Sequence, residues 1–196
     1  SGDKDTFSVN LENGAFKCFR SSCGYHGHFV ELARDFGFRL EDDSQKKYRK
    51  LPQKKIETKP KAIEYLESRG ISAEVARRYN ITTRKDNDKI LVFPFYDDQG
   101  VLQFVKYRKT DFDKDKDRNK ELGERDCKPI LFGMDKCDPE ACDTLVMTEG
   151  QIDSLSVAEC GFENAGSVPT GKNGFSWVPY CWDWLQSFDT LIIFGD

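Results

Sequence analysis

Two apolar segments near the end of the chain carry the clearest secondary-structure pattern. Thr144–Gly150 has the sequence TLVMTEG and Thr190–Asp196 has the sequence TLIIFGD, and each apolar run ends at an acidic residue. A run without polar alternation is typical of a strand that a parallel sheet buries on both faces. Gln151–Gly161 has apolar residues on one side and a closing glycine, which predicts an amphipathic helix between the two strands. With a further short strand at Asn164–Gly171, this order predicts a right-handed parallel α/β unit.

The upstream half predicts smaller antiparallel and helical elements. An Asn-Gly pair at residues 13–14 lies between two β-prone runs and predicts a hairpin over Phe7–Phe19. A short helix over Phe29–Phe36 follows, with its apolar residues on one face. Ala62–Asn80 predicts two helices, the second of which begins at a Ser72 cap. Together these elements predict a chain of mixed α+β and α/β class.

A second hairpin is predicted over Lys89–Lys109, where two β-prone runs flank the turn DDQG. Pro94 interrupts the first run and predicts a sheet edge or a bulge at that point. Because side chains alternate along a strand, the second run should present four residues on one face: Leu102, Phe104, Lys106 and Arg108. Two neighbouring cations beyond an apolar patch suit a phosphate contact, although an exposed strand end has the same pattern.

Composition narrows the class of protein. The chain has 196 residues, of which 38% are hydrophobic, with a mean hydropathy of -0.66 and a formal charge of -4. No apolar stretch approaches the length of a membrane span and no secretory signal is present, so we expect no membrane partner and a cytoplasmic setting. Seven cysteines, an odd number, then predict reduced thiols. The start at Ser-Gly without Met predicts either the remnant of a tag or a trimmed N-terminus.

Two further segments have a biased composition. Glu41–Lys61 is basic, contains two prolines and has little apolar content, which predicts a solvated linker. The alternative is that its lysines contact phosphates of a nucleic acid. Phe175–Phe188 is rich in aromatic residues, which predicts a helix packed on the sheet. The alternative for this segment is base stacking or a partner surface lined by Trp177 or Trp182.

The acidic residues that end the two apolar runs are candidate metal ligands. Ligands gather at the carboxyl ends of parallel strands, which is where Glu149 and Asp196 should lie. Two carboxylates at such an edge can hold a hard divalent cation, most naturally Mg²⁺. Asp153 falls in the first turn of the predicted helix, where its charge favours the positive end of the helix dipole. The simpler alternative is that acids end strands because strands end at the surface.

Cys18 and Cys23 form a C-x4-C pair at the end of the first predicted hairpin. Such a pair is half of a zinc ribbon, because tetrahedral zinc takes four thiolate or imidazole ligands. Two free cysteines in a small fold are the alternative, and His26 is a further candidate ligand.

Four segments in succession resemble the bacterial-type and bacteriophage primases. GAFKCFRSSCGYHGHFVELARDFGF is similar to the second half of their zinc-binding domain, and AIEYLESRGISAEVARRYNI is similar to the entry of their catalytic core. FPFYDDQGVLQFVKYR matches the core pattern, and KPILFG resembles the segment before the metal-binding strand. TEGQIDSLSV, SVPTG and LIIFGD resemble the TOPRIM domain, in particular that of bacteriophage primase-helicases and the related Twinkle-like helicases.

This resemblance implies a partial zinc ribbon followed by a primase core with a Rossmann-like, parallel-sheet TOPRIM subdomain. The implied divisions are a zinc-binding domain at 1–40, a basic linker at 41–61, the N-terminal subdomain of the core at 62–142 and an incomplete TOPRIM subdomain at 143–196. The upstream cysteine knuckle and the second Asp of the family's Asp-x-Asp motif are missing, so the family pattern is truncated at both ends. The sequence leaves open whether the chain is active by itself.

The resemblance also implies roles for individual residues. Catalysis is assigned to Glu149, Asp153 and Asp196, and Mg²⁺ or Mn²⁺ is assigned to Glu149 and Asp196. Zn²⁺ is assigned to Cys18 and Cys23, in a site that is incomplete in this chain. The residues implied to bind phosphates of nucleotide or template are Lys106, Arg108, Lys128 and Lys172.

The implied function is that of a DNA primase, a nucleotidyltransferase that synthesises short RNA primers on single-stranded DNA during replication. Its partners would be the template, ribonucleoside triphosphates and a replicative helicase, fused or separate, and its location the cytoplasm of a bacterial or phage-infected cell. One alternative is a non-catalytic module that binds single-stranded DNA for a replicative helicase; another is a TOPRIM nuclease or topoisomerase-like enzyme that cleaves DNA. Glu149 and Asp153, with the pair Lys106 and Arg108, favour catalysis, and the primase-like segments in Ala62–Arg108 disfavour DNA cleavage.

Overall fold

Two units make up the chain, Ser1–Lys47 and Tyr48–Asp196, and the computed structural model describes residues 6–10, 14–35, 47–170 and 174–195. The first unit has a three-stranded antiparallel sheet in the order β1-β2-β3, followed by a helix. Its elements are β1 Phe7–Val9, β2 Ala15–Cys18, β3 His26–His28 and α1 Phe29–Asp35. Strands β1 and β2 pair as the predicted hairpin requires, while Asn13 of the predicted turn lies outside the described residues.

The second unit alternates helices and strands. Its helices are α2 Pro60–Glu67, α3 Ala73–Arg78, α4 Gln151–Glu159 and α5 Val178–Leu185. Its strands are β4 Thr82–Thr83, β5 Ile90–Tyr96, β6 Leu102–Lys109, β7 Glu121–Gly123, β8 Thr144–Thr148, β9 Ala165–Ser167 and β10 Thr190–Phe194. The predicted mixed α+β and α/β class is confirmed. Within the described ranges, every helix is too short or too polar to cross a bilayer.

Local sequence sets the ends of helices α2 and α3. Pro60 occupies the first turn of α2, where its missing N–H removes no helical hydrogen bond. The Ser72 side chain accepts a hydrogen bond from the Val75 amide at 3.3 Å, so the predicted cap is confirmed. Gly70, between the helices, has a φ of 77°, a left-handed conformation that glycine adopts without steric cost. The Ser72 amide also donates to the Glu159 carboxylate at 2.8 Å, which ties α3 to the end of α4.

The antiparallel sheet of the second unit has the strand order β4-β5-β6-β7, with β5 and β6 forming the predicted hairpin. Strand β4 pairs only with Leu91 and Val92 of β5, so among the described strands Pro94 has a partner on one side alone. A register shift follows at Phe95 and Tyr96. Both features agree with the edge or bulge that the proline predicts.

The same register shift overturns one prediction about strand β6. Phe104 pairs with Phe95 but Leu102 pairs with Tyr96, so Gln103 is an extra residue at which the alternation of faces changes. Leu102 consequently packs in a small separate cluster, whereas Phe104 packs in the main core. The prediction that Leu102 shares a face with Phe104 is therefore wrong.

The second sheet of this unit is parallel, with the strand order β10-β8-β9. Thr190 pairs with Thr144, and Phe194 pairs with Thr148. Helix α4 connects β8 to β9 and helix α5 connects β9 to β10. The predicted parallel α/β unit is confirmed, and its central strand β8 is buried over four of its five residues.

Strand β10 differs from the prediction in its burial. All five of its residues are exposed, and the apolar side chain of Ile193 is 74% exposed. The strand lies at the edge of the sheet, paired with β8 on one side, and the described elements leave its two faces uncovered. The expectation that Thr190–Phe194 is buried on both faces is therefore wrong, because an apolar run predicts a strand but not its place in the sheet.

Phe132 is the residue at which the two sheets and the helices of the second unit meet. Its side chain is 1% exposed, and its ring centroid lies 5.4 Å from that of Tyr79, 6.0 Å from that of Phe93 and 5.3 Å from that of Phe95. Its backbone forms an antiparallel bridge with Ser167 at the end of β9. One hydrophobic core therefore extends from helix α2 to the segment after helix α5.

Residues 48–59 lie along the second unit, whereas the sequence predicted a solvated linker over 41–61. The Gln53 side-chain amide accepts a hydrogen bond from the Leu102 N–H at 2.8 Å and donates to the Leu102 carbonyl at 3.1 Å. Leu51 packs against the hydrophobic core. The prediction of a solvated tether is therefore wrong for this part of the segment, because single side chains fix it, and residues 41–46 lie outside the described residues.

Candidate active site

The turn between β8 and α4 carries Glu149 at the carboxyl end of the central strand of the parallel sheet. Two buried side chains set the course of this turn. Thr148 Oγ1 donates to the Gly150 carbonyl at 2.9 Å, and Gln151 Nε2 donates to Ser167 Oγ on β9 at 3.0 Å. The backbone on both sides of Glu149 is therefore held between β8 and β9.

Asp153 reaches the same turn from the first turn of helix α4. A Cβ atom added to Gly150 would collide with the Asp153 carboxylate, so this carboxylate lies over the bare backbone of the glycine. The position is also at the positive end of the helix dipole. Glu149 and Asp153 thus flank Gly150 at the sheet edge where the sequence predicted the site. Asp196 lies outside the described residues, although the pairing of β10 with β8 ends at the same edge.

The oxygen donors at this edge suit a hard divalent cation. Carboxylates are the ligands that Mg²⁺ and Mn²⁺ prefer, and Mg²⁺ usually retains several waters beside one or two of them. Glu149 and Asp153 supply such carboxylates. Within the described ranges, no group of three or more His, Cys, Asp or Glu residues is arranged to hold a metal ion. The assignment of Mg²⁺ to Glu149 and Asp196 stays a prediction.

Lys106 and Arg108 lie side by side on β6, and both bind the carboxylate of Glu121. Lys106 Nζ is 2.7 Å from Glu121 Oε2, and Arg108 Nη1 is 2.6 Å from Glu121 Oε1. Arg108 and Glu121 are directly paired residues of strands β6 and β7. The side chain of Lys106 is 12% exposed, that of Arg108 17% and that of Glu121 29%. The cluster is therefore largely buried.

Glu121 stays ionised in this cluster. Burial is the largest influence on the pKa of its carboxyl and raises it, but the hydrogen bond from Lys106 and the charges of Lys106 and Arg108 together outweigh burial. The pKa of Glu121 therefore lies below its usual value. Arg108 Nε is buried and has no acceptor in the part of the chain that the structure describes, so the guanidinium keeps unused hydrogen-bonding capacity.

Sequence reasoning missed Glu121. The residue follows the charged segment Asp111–Lys120, whose composition is typical of a loop, and strand β7 has only three residues. Alternation over three residues is too short a signal for a strand. The pairing of β7 with β6 is what brings the carboxylate to Lys106 and Arg108.

Lys128 has partners of its own. Its Nζ lies 5.3 Å from the centre of the Tyr180 ring, which is a cation–π contact. It lines a cavity of about 570 Å³ together with the carboxylates of Asp97, Asp98 and Asp183. The structure thus brings Lys106 and Arg108 together and gives Lys128 different contacts, while Lys172 lies outside the described residues.

Cys18 and Cys23 lie next to each other in the first unit. The pKa of the Cys23 thiol is lowered, first by a hydrogen bond from the Tyr25 backbone and then by one with the Cys18 side chain. His26 Nδ1 bonds the Gly24 carbonyl at 2.7 Å, within the same turn. Two adjacent thiols fit half of the tetrahedral set that Zn²⁺ takes, so the zinc ribbon stays a prediction.

The aromatic segment before strand β10 contributes to the core. Trp177 is 4% exposed and donates from Nε1 to the Gly174 carbonyl at 2.8 Å, and helix α5 buries Cys181 and Leu185. The prediction that this segment packs a helix into the fold is confirmed. Trp177 is too buried to line a partner surface, whereas Trp182 is 54% exposed.

Two curated plant proteins are similar to the chain in sequence. A Twinkle homolog protein, chloroplastic/mitochondrial, of Arabidopsis thaliana is 31% identical over 177 residues, which cover 87% of the chain and 23% of that protein. A primase homolog protein of the same plant is 27% identical over 195 residues, which cover 90% of the chain and 54% of that protein. The chain thus spans less than a quarter of the first relative and about half of the second. No protein-family model matches the chain.

Solved structures of primases have the same fold. The zinc-binding and RNA polymerase domains of Aquifex aeolicus primase match 100% of the chain and 63% of their own length, at a TM-score of 0.57 and 19% identity. The primase fragment of the bacteriophage T7 primase-helicase protein matches 100% of the chain and 76% of its own length, at a TM-score of 0.56 and 22% identity. A DnaG primase catalytic domain bound to single-stranded DNA matches 72% of the chain and 55% of its own length, at a TM-score of 0.53 and 20% identity. The resemblance drawn from the sequence motifs is therefore confirmed at the level of fold.

Proposed function

We propose that this chain, a homologue of the plant Twinkle homolog and primase homolog proteins with the fold of primase catalytic cores, is the primase part of a primase-helicase. In this proposal it synthesises short RNA primers on single-stranded DNA, and is therefore a DNA-directed RNA polymerase and nucleotidyltransferase. The observation that carries the proposal is the placement of Glu149 and Asp153 around Gly150 at the carboxyl end of β8, within a fold shared with primases.

Each group has a role in this reaction. Lys106 and Arg108 bind phosphate groups of nucleotide or template, because they lie together on one face of β6. Glu149 and Asp153, with Asp196, offer the carboxylates that hold Mg²⁺ or Mn²⁺. When bound, the divalent cation helps to activate the primer 3′-hydroxyl and neutralises charge on the triphosphate. Thr148 and Gln151 keep the turn in one conformation, which fixes the directions of the carboxylates.

The partners follow from the same proposal. Single-stranded DNA is the template, ribonucleoside triphosphates are the substrates, and a replicative helicase is fused to the chain or binds it. The bound single-stranded DNA of one structural neighbour and the primase-helicase origin of another support this set. Cys18 and Cys23 supply two of the four ligands of a zinc module that contacts template bases. The cytoplasm of a bacterial or phage-infected cell stays a prediction, and the Twinkle homolog relative is named as chloroplastic/mitochondrial.

The test is primer synthesis on single-stranded DNA with labelled ribonucleotides and Mg²⁺ or Mn²⁺. The wild-type chain is compared with Glu149→Gln and Asp153→Asn, which keep side-chain size and remove the negative charge. Glu140→Gln, which changes an exposed carboxylate before β8, is the matched control. We expect short RNA products from the wild type and the control, and their loss in the two site variants.

Two other results would contradict the proposal. Binding of single-stranded DNA without RNA products, equal in wild type and Glu149→Gln, would favour the non-catalytic module of a helicase. Cleavage of the DNA that depends on Glu149 would favour the TOPRIM nuclease or topoisomerase-like enzyme.

A further inference from the structure

Glu121 occupies the position that a bound oxyanion would take between Lys106 and Arg108. Each carboxylate oxygen receives one cation, Oε2 from Lys106 Nζ at 2.7 Å and Oε1 from Arg108 Nη1 at 2.6 Å. Charge-assisted bonds of this length are also the bonds by which Lys and Arg hold phosphate. The two cations are thus partly neutralised before any ligand arrives, since the three groups together carry a single positive charge.

Glu121 leaves part of Arg108 unused. A guanidinium has five N–H donors, of which Glu121 accepts from Nη1, and the buried Nε has no acceptor among the described residues. Arginine commonly grips phosphate through two parallel N–H bonds. An anion that replaces Glu121 and also accepts from Nε therefore satisfies a donor that the carboxylate does not reach.

We propose that Glu121 competes with phosphate for Lys106 and Arg108 and sets the affinity threshold of this site, an inference that rests on the proposed phosphate-binding role of these two cations. Exchange of a carboxylate for a phosphodiester replaces one negative charge by another and brings no gain in charge balance. A terminal phosphate has a charge of about −1.5 to −2 at neutral pH, and a triphosphate has more, so these anions displace Glu121 with a net gain. Both kinds of anion must displace Glu121, which lowers both affinities by the same factor, so at a given concentration only the more strongly held polyphosphate stays bound.

The strand that carries Glu121 is suited to releasing it. Strand β7 has three residues, and among the described strands it pairs with β6 alone. Its Leu122 is 56% exposed, so this side chain anchors the strand weakly. A short edge strand with few buried contacts opens at a lower free energy than a central strand. The Glu121 side chain is itself 29% exposed, which gives the carboxylate a path into solvent.

A purely structural role for Glu121 has a different consequence. Without the Glu121 carboxylate, the largely buried Lys106 and Arg108 are two like charges without a counter-ion. This arrangement destabilises the fold. Under that role alone, removal of Glu121 raises the affinity for anions no more than removal of the neighbouring Glu124 carboxylate does, since each change removes one negative charge. Competition adds a further gain at Glu121, because its removal frees both cations.

The test is a binding measurement on the full chain at low salt without divalent metal. The probes are inorganic tripolyphosphate and a fluorescent oligo(dT) that lacks terminal phosphates. The variants are Glu121→Gln and Glu121→Asp, and the matched control is Glu124→Gln, which changes a neighbouring carboxylate that pairs with Arg49. Lys106→Gln reports how much of each signal belongs to this site.

Competition predicts a gain of affinity in Glu121→Gln by a similar factor for both probes, because the same carboxylate is displaced in both cases. We expect both dissociation constants to fall about tenfold, and those of Glu124→Gln to fall less than about twofold. Glu121→Asp, whose shorter side chain withdraws the carboxylate, should lie between wild type and Glu121→Gln. If Glu121→Gln does not fold, as judged by its thermal unfolding curve, Glu121→Asp decides the question. An affinity in the folded Glu121 variant that does not exceed that of Glu124→Gln overturns the proposal.

This measurement separates the inference from the proposed function. Tighter anion binding in Glu121→Gln, with no primer synthesis by the wild type, would sustain the competition at the site and contradict the primase. Primer synthesis by the wild type, with unchanged anion binding in Glu121→Gln, would sustain the primase and overturn the role of Glu121.

Discussion

The backbone of Phe132 pairs with that of Ser167: the Phe132 amide donates to the Ser167 carbonyl at 2.9 Å, and the Ser167 amide donates to the Phe132 carbonyl at 3.2 Å. The Phe132 segment therefore extends the parallel sheet beyond β9, while its ring packs on Phe93 and Phe95 of the antiparallel sheet. One residue thus joins the sheet that carries Glu149 to the sheet that carries Lys106.

Replacement of Phe132 by alanine should destabilise the second unit strongly. The side chain is 1% exposed and contacts three aromatic rings, so we expect the free energy of unfolding to fall by about 3–5 kcal/mol. Urea unfolding followed by tryptophan fluorescence measures this loss. The matched control is Phe162→Ala, whose side chain is 56% exposed and whose loss should stay within about 0.5 kcal/mol. Equal losses in the two variants would contradict the central place of Phe132.

Replacement of Gly150 by alanine should disturb the site more than the fold. Gly150 has a φ of −106°, which alanine adopts freely, but the added Cβ collides with the Asp153 carboxylate. We expect the free energy of unfolding to change by less than about 1 kcal/mol and primer synthesis to fall to the level of Asp153→Asn. The control on the same helix is Ser156→Ala. Full primer synthesis by Gly150→Ala would show that the position of the Asp153 carboxylate is unimportant.

The free energy of unfolding should fall in acid as the Glu121 carboxylate becomes protonated. Its folded pKa lies below its unfolded value, so ionised Glu121 stabilises the fold at neutral pH, and this contribution is lost as the pH falls below about 4.3 and through the folded pKa. Glu121→Gln should therefore be less stable than wild type at pH 7, with the two curves converging as the pH falls through the folded pKa of Glu121. Urea unfolding across this range measures both curves. Glu67→Gln, at an exposed position of α2, should have a free energy of unfolding that changes with pH as in the wild type. If the curve of Glu121→Gln also runs parallel to that of the wild type, the ionisation of Glu121 does not contribute to stability.

Loss of the Gln53 side chain should free the segment that precedes helix α2. The Gln53 amide bonds both backbone groups of Leu102, a residue that is 6% exposed. In Gln53→Ala these groups lose their partner, which should cost about 1–3 kcal/mol and expose the chain at Lys54 and Lys55 to trypsin. Limited proteolysis with mass spectrometry detects the cleavage. Gln99→Ala, in the turn of the β5–β6 hairpin, should keep the wild-type cleavage rate.

The elements that the sequence predicts well are those whose signals are local. The Ser72 cap lies three residues before the amide that it binds, and the strand around Val146 has an apolar run with an abrupt acidic end. Glu149 could be placed at a sheet edge for the same reason, because the end of a strand and the start of a helix are both visible in the sequence.

The features that the sequence does not predict depend on contacts between distant segments. Glu121 meets Lys106 only through the pairing of β6 with β7, and Gln53 meets Leu102 across the second unit. The extra residue Gln103 shifts the faces of β6 without changing its β-prone composition. Each of these depends on register or on long-range packing, which no run of neighbouring residues encodes.

The position of β8 between β9 and β10 has a consequence for how the chain is made on the ribosome. The hairpin can close when Lys109 has emerged, because its strands are neighbours, and β8 gains β9 when Ser167 has emerged. The other edge of β8 pairs, among the described strands, with Thr190–Phe194, which emerge more than twenty residues after Ser167. Until β10 has emerged, one edge of the apolar strand β8 has no partner in the nascent chain. Exposed strand edges of this kind can pair with those of other unfolded chains. A chaperone that covers this edge during that interval would prevent such pairing.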